Sequence, residues 1–179
     1  MNAGAEELVV LLDDAGRPIG TAPKRDVHHR DTPLHLAFSA YVFDPDGRFL
    51  LTQRALDKPT WPGAWTNSCC GHPGPGEPVD AAVRRRVREE LGITLTDVRP
   101  ALPDFRYRAV MDDGTVENEL CPVYTAVCPD PSELAPDASE VASTVWVDWA
   151  EFREDVLTGR AEVSPWCVRQ IAGLPPVVS

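Results

Sequence analysis

Proline and glycine set the scale on which this chain can fold. Eighteen prolines and twelve glycines are spread through 179 residues, so the backbone is divided into short elements. Leu8 to Leu12, the turn Asp13-Asp14-Ala15-Gly16, and Arg17 to Thr21 read as a β-hairpin. Leu34 to Phe43 reads as one strand, turning at Asp44-Pro45-Asp46-Gly47 into a partner from Arg48 to Gln53. Pro59 to Gly76, rich in Gly, Pro and Trp, is expected to be mostly loop. Further strands are expected at Phe105 to Val110, Val116 to Val127 and Val141 to Val147, with Asp112-Asp113-Gly114 as the turn between the first two.

Only from Pro78 to Leu91 does the pattern become strongly helical. Val79, Ala82, Val83, Val87 and Leu91 recur at helical spacing, with Pro78 suited to the start and Gly92 to the stop. Trp149 to Leu157 and Pro165 to Ile171 read as short closing helices, and Pro129 to Ser139 as an acidic loop. No repeat or long linker divides the chain. A single α/β domain over residues 1–179, with strands outnumbering helices, is the expected architecture.

Charge narrows the function. Asp and Glu number 28 against 17 Lys and Arg, a formal net charge of −11. Such a surface repels a phosphate backbone, which argues against nucleic acid as a partner. Near the N-terminus the longest apolar run is Leu8 to Leu12, far below the roughly 20 residues of a membrane span. Met1 to Glu7 is acidic rather than basic, so no secretory signal is visible and a cytoplasmic location is expected. The cysteines at 69, 70, 121, 128 and 167 form no C-x-x-C pair, and reduced thiols are expected.

Several residue groups invite chemistry. Glu89 and Glu90 project about 100° apart on a helix, so one can face a cleft while the other faces solvent. A cleft carboxylate suits Mg²⁺, which takes few carboxylates together with water and phosphate oxygens. On the helix alone, i,i+4 pairing of Arg85 with Glu89 and of Arg86 with Glu90 is the simpler reading. The histidines at 28, 35 and 72 each read singly as structural, His35 as a core residue between Leu34 and Leu36. Glu117 and Glu119 share one face of a strand, where they repel unless a cation lies between them. Were the three imidazoles and two carboxylates to converge, they would suit Mn²⁺, Mg²⁺ or Zn²⁺. Lys24, Arg54, Lys58 and Arg86 lie in or beside the same segments, where an anionic substrate would need them. Trp61, Trp65 and Trp166 offer either core packing or π-faces for a cation.

The wording of the chain is more specific than its composition. Leu34-His35-Leu36-Ala37-Phe38-Ser39, Trp61-Pro62-Gly63, Trp65-Thr66-Asn67-Ser68, Cys70-Gly71-His72-Pro73, Asp104-Phe105-Arg106-Tyr107-Arg108 and Glu117-Asn118-Glu119 stand in order. Together they resemble the type 1 isopentenyl-diphosphate isomerases, over a core of about residues 8–166. The resemblance implies a Nudix fold, a mixed sheet flanked by helices. Gly71 to Ile93 is similar to the Nudix signature with one departure: Arg86 stands where hydrolases of that fold carry the first glutamate of an Arg-Glu pair. That change removes a metal ligand and adds a cation, which favours holding a diphosphate intact over hydrolysing it.

The resemblance further implies that His28, His35, His72, Glu117 and Glu119 bind one divalent metal, Mn²⁺ or else Mg²⁺ or Zn²⁺. Glu90 would bind a Mg²⁺ that also touches the diphosphate, contacted by Lys24, Arg54, Lys58 and Arg86. Glu119, close to Tyr107, would serve as or connect to the acid that protonates C4, and Cys70 would take the proton from C2 on the opposite face. The two labels would exchange in the reverse reaction, and Trp166 would face the cationic intermediate. The expected partner is a small-molecule diphosphate, with a monomer favoured. Two other readings stand beside it: a Nudix hydrolase of a nucleoside diphosphate derivative, which Arg86 disfavours, and a non-catalytic metal- or diphosphate-binding module, which has no need of a thiol beside an acid.

Overall fold

A computed structural model describes residues 6–177. Strands β1 (Leu8–Leu12) and β2 (Pro18–Pro23) form a hairpin, α1 (Lys24–Val27) is a single turn, and β3 (His35–Leu36) and β4 (Phe38–Phe43) follow. β5 (Phe49–Arg54), β6 (Trp65–Thr66) and β7 (Cys69–Gly71) precede the long helix α2 (Val79–Leu91). Then come β8 (Thr96–Leu102), β9 (Arg106–Val110), β10 (Val116–Leu120), β11 (Val123–Val127) and β12 (Val141–Val147). Helices α3 (Trp149–Leu157) and α4 (Pro165–Gly173) complete the mixed α+β architecture. Among the described residues no helix is long and apolar enough to cross a membrane.

Helix α2 forms as its ends predict. Pro78 sits at the N-cap, and Gly92 closes the last turn at φ 73°, donating its N–H to the Arg88 carbonyl. Ala82, Val83, Val87 and Leu91 bury one stripe against Phe38, Ala40, Val42 and Leu50. The opposite face of the same sheet, through Tyr41, Phe43 and Phe49, packs on Trp149, Phe152 and Val156 of α3 and Ile171 of α4. All six residues of β4 are therefore buried, because helices cover both sides of it.

Two expected strands prove to be four. The stretch Leu34 to Phe43 breaks at Ala37, and Val116 to Val127 breaks at Cys121-Pro122. Strands β3 and β10 join a five-stranded sheet in the order β2-β1-β3-β10-β9, whereas β4 and β11 join the larger sheet in the order β12-β5-β4-β11-β8. Both chain segments thus pass from one sheet to the other side by side. β3 runs parallel to β10, with His35 opposite Glu119, and β4 runs parallel to β11. Backbone bonds from Ala37 N–H to Leu120 O at 2.9 Å and from Ser39 N–H to Pro122 O at 3.1 Å tie the crossing together. Pro122, without an N–H, cannot donate to a ladder there.

Two further stretches form strands where none was expected. Strand β8 carries Pro100 and lacks apolar alternation, yet forms the edge next to β11, where a proline is tolerated. The segment expected to be loop holds β6 and β7, because β4 and β5 pair directly only at Phe43–Phe49 and then splay apart. Ser68 fills the gap: its hydroxyl accepts from Val42 N–H at 2.9 Å and donates to Leu50 O at 2.6 Å. β7 lies along β4, with Cys70 opposite Ser39 and Gly71 opposite Phe38.

Candidate active site

The crossing between the sheets delivers the carboxylates and imidazoles to one place. Glu117 and Glu119 project from the same face of β10, as the period of a strand requires. His35 arrives from β3, His28 from the residue that ends α1, and His72 from the residue after β7. His35 Nε2 and His72 Nε2 each lie 3.4 Å from Glu119 Oε1, and His28 Nε2 lies 3.6 Å from Glu117 Oε2. The ring centroids of the three histidines are 5.2–6.0 Å apart.

Three buried Nε2 atoms, of His28, His35 and His72, have no hydrogen-bond partner. Buried polar atoms are rarely left so, and here they face one another across a carboxylate. One donor atom each from His28, His35, His72 and Glu119 lies within 4.8 Å of the others, a set of imidazole nitrogens and a carboxylate oxygen that fits a divalent ion. His35 Nδ1 is held 2.9 Å from the Pro33 carbonyl, which fixes the ring and leaves Nε2 for the site. The reading of His35 as a satisfied core histidine is half right: it is fully buried, but only one ring nitrogen is satisfied.

Charge in the cluster follows from contacts. Burial opposes ionisation of Glu119, yet the His35 and His72 imidazoles beside it outweigh burial and hold the carboxyl well below its usual range. Glu117 goes the other way, pushed up by burial and by the neighbouring Glu119 charge. Burial lowers His72, whereas Glu119 overcomes burial at His35 and raises it. Tyr107, opposite Glu119 across the β9–β10 pair, is buried with an unpartnered hydroxyl, and burial raises its pKa.

The cluster forms one wall of a cavity of about 760 Å³ lined also by Lys24, Arg54, Lys58, Cys70, Arg86, Glu90 and Trp166. Every side chain expected at the site lines it except His35, which stands behind the wall. Gly71 makes the approach of α2 to β7 feasible: a Cβ there would meet Arg86 Cγ and the Phe38 ring at 2.9 Å. Cys70 Sγ lies 3.5 Å from Ser39 Oγ and 3.4 Å from the Asn67 amide. Burial pushes the thiol up to about 11, so it carries its proton at neutral pH.

The basic residues are already engaged. Lys24 Nζ contacts Glu7 at 3.0 Å, and Lys58 Nζ contacts the Glu140 carboxylate. Arg54 donates to the Thr60 carbonyl at 2.8 Å and lies 5.7 Å over the Trp166 ring. Arg86 pairs with Glu90, reaches Glu89 Oε2 at 2.9 Å and lies 3.8 Å from Glu140 Oε1. The ion-pair reading of the helix therefore holds for both pairs: Arg85 lies 3.4 Å from Glu89 Oε2 on the solvated face, whereas Arg86–Glu90 lies on a buried face that borders the cavity. Burial raises the pKa of Glu90, and Glu89, beside it in sequence, is exposed.

Several participants carry no local signal of their role, although Ser39 and Asn67 fall within the motifs that carry the resemblance. Glu140 bridges Lys58 and Arg86 from the start of β12, and Arg25 lines the cavity beside Lys24. Asn67 is buried and accepts from Trp166 Nε1 at 2.9 Å, which fixes the indole. Ser39 and Gln170 stand behind Cys70, joined at 2.8 Å. Their chain separations, 131 residues in the last case, put such contacts beyond any local pattern.

Comparison with known proteins is consistent across sequence and fold. The NUDIX domain family matches residues 33–167. A Mycolicibacterium vanbaalenii protein named isopentenyl-diphosphate Delta-isomerase is 59% identical over 92% of this chain and 90% of its own length. A Saccharopolyspora erythraea protein of the same name is 57% identical over 94% of this chain and 86% of its own. Among solved structures, a Deinococcus radiodurans protein superposes with a TM-score of 0.68 at 18% identity, covering 92% of this chain and 99% of that one. A MutT NUDIX hydrolase from Burkholderia pseudomallei gives 0.60 at 22% identity, covering 79% and 98%. At those identities the two structures speak for the fold alone.

Proposed function

The chain belongs to the isopentenyl-diphosphate Delta-isomerases of the Nudix family, and we propose that it moves the double bond by passing protons at opposite ends of the allylic unit through Cys70 and Glu119. The reaction interconverts isopentenyl and dimethylallyl diphosphate. An alkene is a weak base, so its protonation at C4 needs an acid held against the carbon, and loss of a proton from C2 needs a base equally well placed. The observation that carries the reading is that the Cys70 thiol and the Glu119 carboxylate line one cavity, with burial pushing the thiol's pKa up and the His35 and His72 imidazoles holding the carboxyl's down. Such a pair contains one group ready to give a proton and one ready to take it, and the reverse reaction exchanges the roles. Tyr107, opposite Glu119 with a free hydroxyl, is placed to connect that carboxylate to the substrate.

Protonation at C4 creates a tertiary cation at C3. Trp166, held by Asn67 and edge-on to Trp61 and Tyr107 at 5.5 and 5.9 Å, offers its π-system to that charge. The aromatic walls also exclude water, which would trap the cation as an alcohol.

His28, His35, His72, Glu117 and Glu119 would hold one divalent ion, with Mn²⁺ the favoured occupant and Mg²⁺ or Zn²⁺ the alternatives. Glu90 would hold a Mg²⁺ shared with the diphosphate. The ions supply positive charge, one fixing Glu119 and the other neutralising the substrate. Lys24, Arg54, Lys58 and Arg86 provide the protein's own cations for the diphosphate, exchanging their present carboxylate and carbonyl partners for phosphate oxygens. Arg86 stands against Glu89 and Glu90, where its cation serves retention of the diphosphate rather than its hydrolysis. Residues 1–179 act as one domain in this reading, with the catalytic core within about 8–166.

Isopentenyl diphosphate incubated with the protein in D₂O, with Mg²⁺ and Mn²⁺, tests the proposal by NMR. Dimethylallyl diphosphate carrying deuterium in its methyl group is expected. Release of inorganic phosphate, or no product from folded, metal-loaded protein, would overturn it.

A further inference from the structure

The deep side of the cavity is built where the two chain segments cross between the sheets, and small side chains make it. Cys70 of β7 lies opposite Ser39 of β4, and Ser39 Oγ stands 3.5 Å from Cys70 Sγ and 3.3 Å from Cys121 Sγ. Cys121 follows Glu119 by two residues, which at the period of a strand continues the face that carries Glu117 and Glu119. Cys70, Ser39, Cys121 and Glu119 thus form one strip, and all four line the cavity. Ser39 is fully buried and Cys121 nearly so, whereas Lys24 and Lys58 on the far side are partly exposed at the mouth.

The strip is braced from behind. Cys121 N–H donates to Phe105 O at 2.8 Å, and the next carbonyl, of Pro122, accepts from Ser39 N–H at 3.1 Å. The Gln170 amide lies 2.8 Å from Ser39 Oγ and 2.9 Å from the Tyr41 hydroxyl, with Gln170 and Tyr41 both fully buried. In a close-packed interior such a wall does not move aside for an extra carbon without strain.

A substrate that meets Cys70 at C2 and Glu119 at C4 lies along this strip, its diphosphate drawn to the cations at the mouth. C3 is trigonal, so its third substituent, the methyl group, points away from both reacting carbons. Cys121, between the two proton-transfer groups, is the side chain beside it. We infer that Cys121, braced by Ser39, is a specificity-determining residue that closes the space next to C3, so that a methyl group fits there and a larger group does not. The inference rests on the isomerase reading of the site and adds a residue that the proton transfers do not use. Cys121 acts through its volume rather than through thiol chemistry.

The deuterium assay, run with isopentenyl diphosphate and with the homologue carrying an ethyl group in place of that methyl, tests this in wild type, Cys121→Ala and Cys121→Val. One methylene in an apolar pocket changes kcat/KM by about 10- to 200-fold. Wild type is expected to disfavour the ethyl homologue by about tenfold or more, and Cys121→Ala to shift the ratio toward it by about tenfold or more. Cys121→Val is expected to lower kcat/KM for isopentenyl diphosphate by about tenfold or more. Inhibition by inorganic pyrophosphate should stay within about twofold in both variants, because the cations are untouched. An unchanged ratio in Cys121→Ala, full isopentenyl turnover in Cys121→Val, or losses matched by lost pyrophosphate binding would overturn the inference. Each variant decides the matter by itself should the other fail to fold. A wild type inactive on isopentenyl diphosphate would overturn the isomerase reading and this inference with it. An active wild type whose preference Cys121→Ala leaves unmoved overturns the inference alone.

Discussion

Removing the metal from the histidine and carboxylate cluster should soften the whole protein by a calculable amount. The buried Nε2 atoms of His28, His35 and His72 lack partners, and each such atom costs about 1–3 kcal/mol relative to a satisfied one. An ion that satisfies all three therefore offsets at least about 3 kcal/mol. Linkage gives a similar figure, since an ion at about a hundred times its Kd stabilises by about 2.7 kcal/mol. For a chain of this size each kcal/mol moves Tm by about 2–4 °C. Adding Mn²⁺ to chelator-treated protein should thus raise Tm by about 5–10 °C in a calorimetric or fluorescence melt. The shift should shrink as pH falls and His35, whose pKa is raised by Glu119, takes up a proton, because imidazole must be deprotonated to bind an ion. His35→Ala removes a ligand at the buried back of the cluster, and its own shift should fall below about 2 °C. Comparing each protein with and without the ion cancels the packing cost of the substitution. A wild-type shift under about 1 °C, or a full shift retained in His35→Ala, would refute the reasoning.

Cys70→Ala should lower turnover by about a thousandfold or more with the melt retained, and Glu119→Gln by as much with a reduced Mn²⁺ shift of Tm, read by the deuterium-incorporation assay and the melt. Arg86→Gln leaves Glu89, Glu90 and Glu140 without their shared cation; it should raise KM by about tenfold or more and cost about 3 kcal/mol in a urea titration. In chelated protein Cys70, held up to about 11 against an ordinary 9.0, should react with iodoacetamide at pH 7.5 about a hundredfold more slowly than a free thiol. Because the pKa is raised, the rate should still climb about tenfold per pH unit at pH 10, and a plateau below pH 9 would contradict the burial account.

The family resemblance named the candidate site residues, but local physics explains only some of their positions. Helix α2 was legible from Pro78, the apolar spacing and Gly92, and β12 and α3 from patterns contained within one element. The shared face of Glu117 and Glu119 followed from strand periodicity, and the divergence of Glu89 from Glu90 from the helical turn. These are properties of neighbours in sequence, and side-chain direction within an element repeats with a fixed period. The tertiary structure alone decided that Leu34 to Phe43 and Val116 to Val127 each serve two sheets, since strand-forming residues flank the crossing on both sides while hydrogen-bonding partners change. It alone brought His28, His35 and His72 together from three separate elements, and set Gln170 behind Ser39 across 131 residues. Periodicity records which face of an element is buried; what that face meets depends on strand pairing and helix packing between distant segments, which no local pattern encodes.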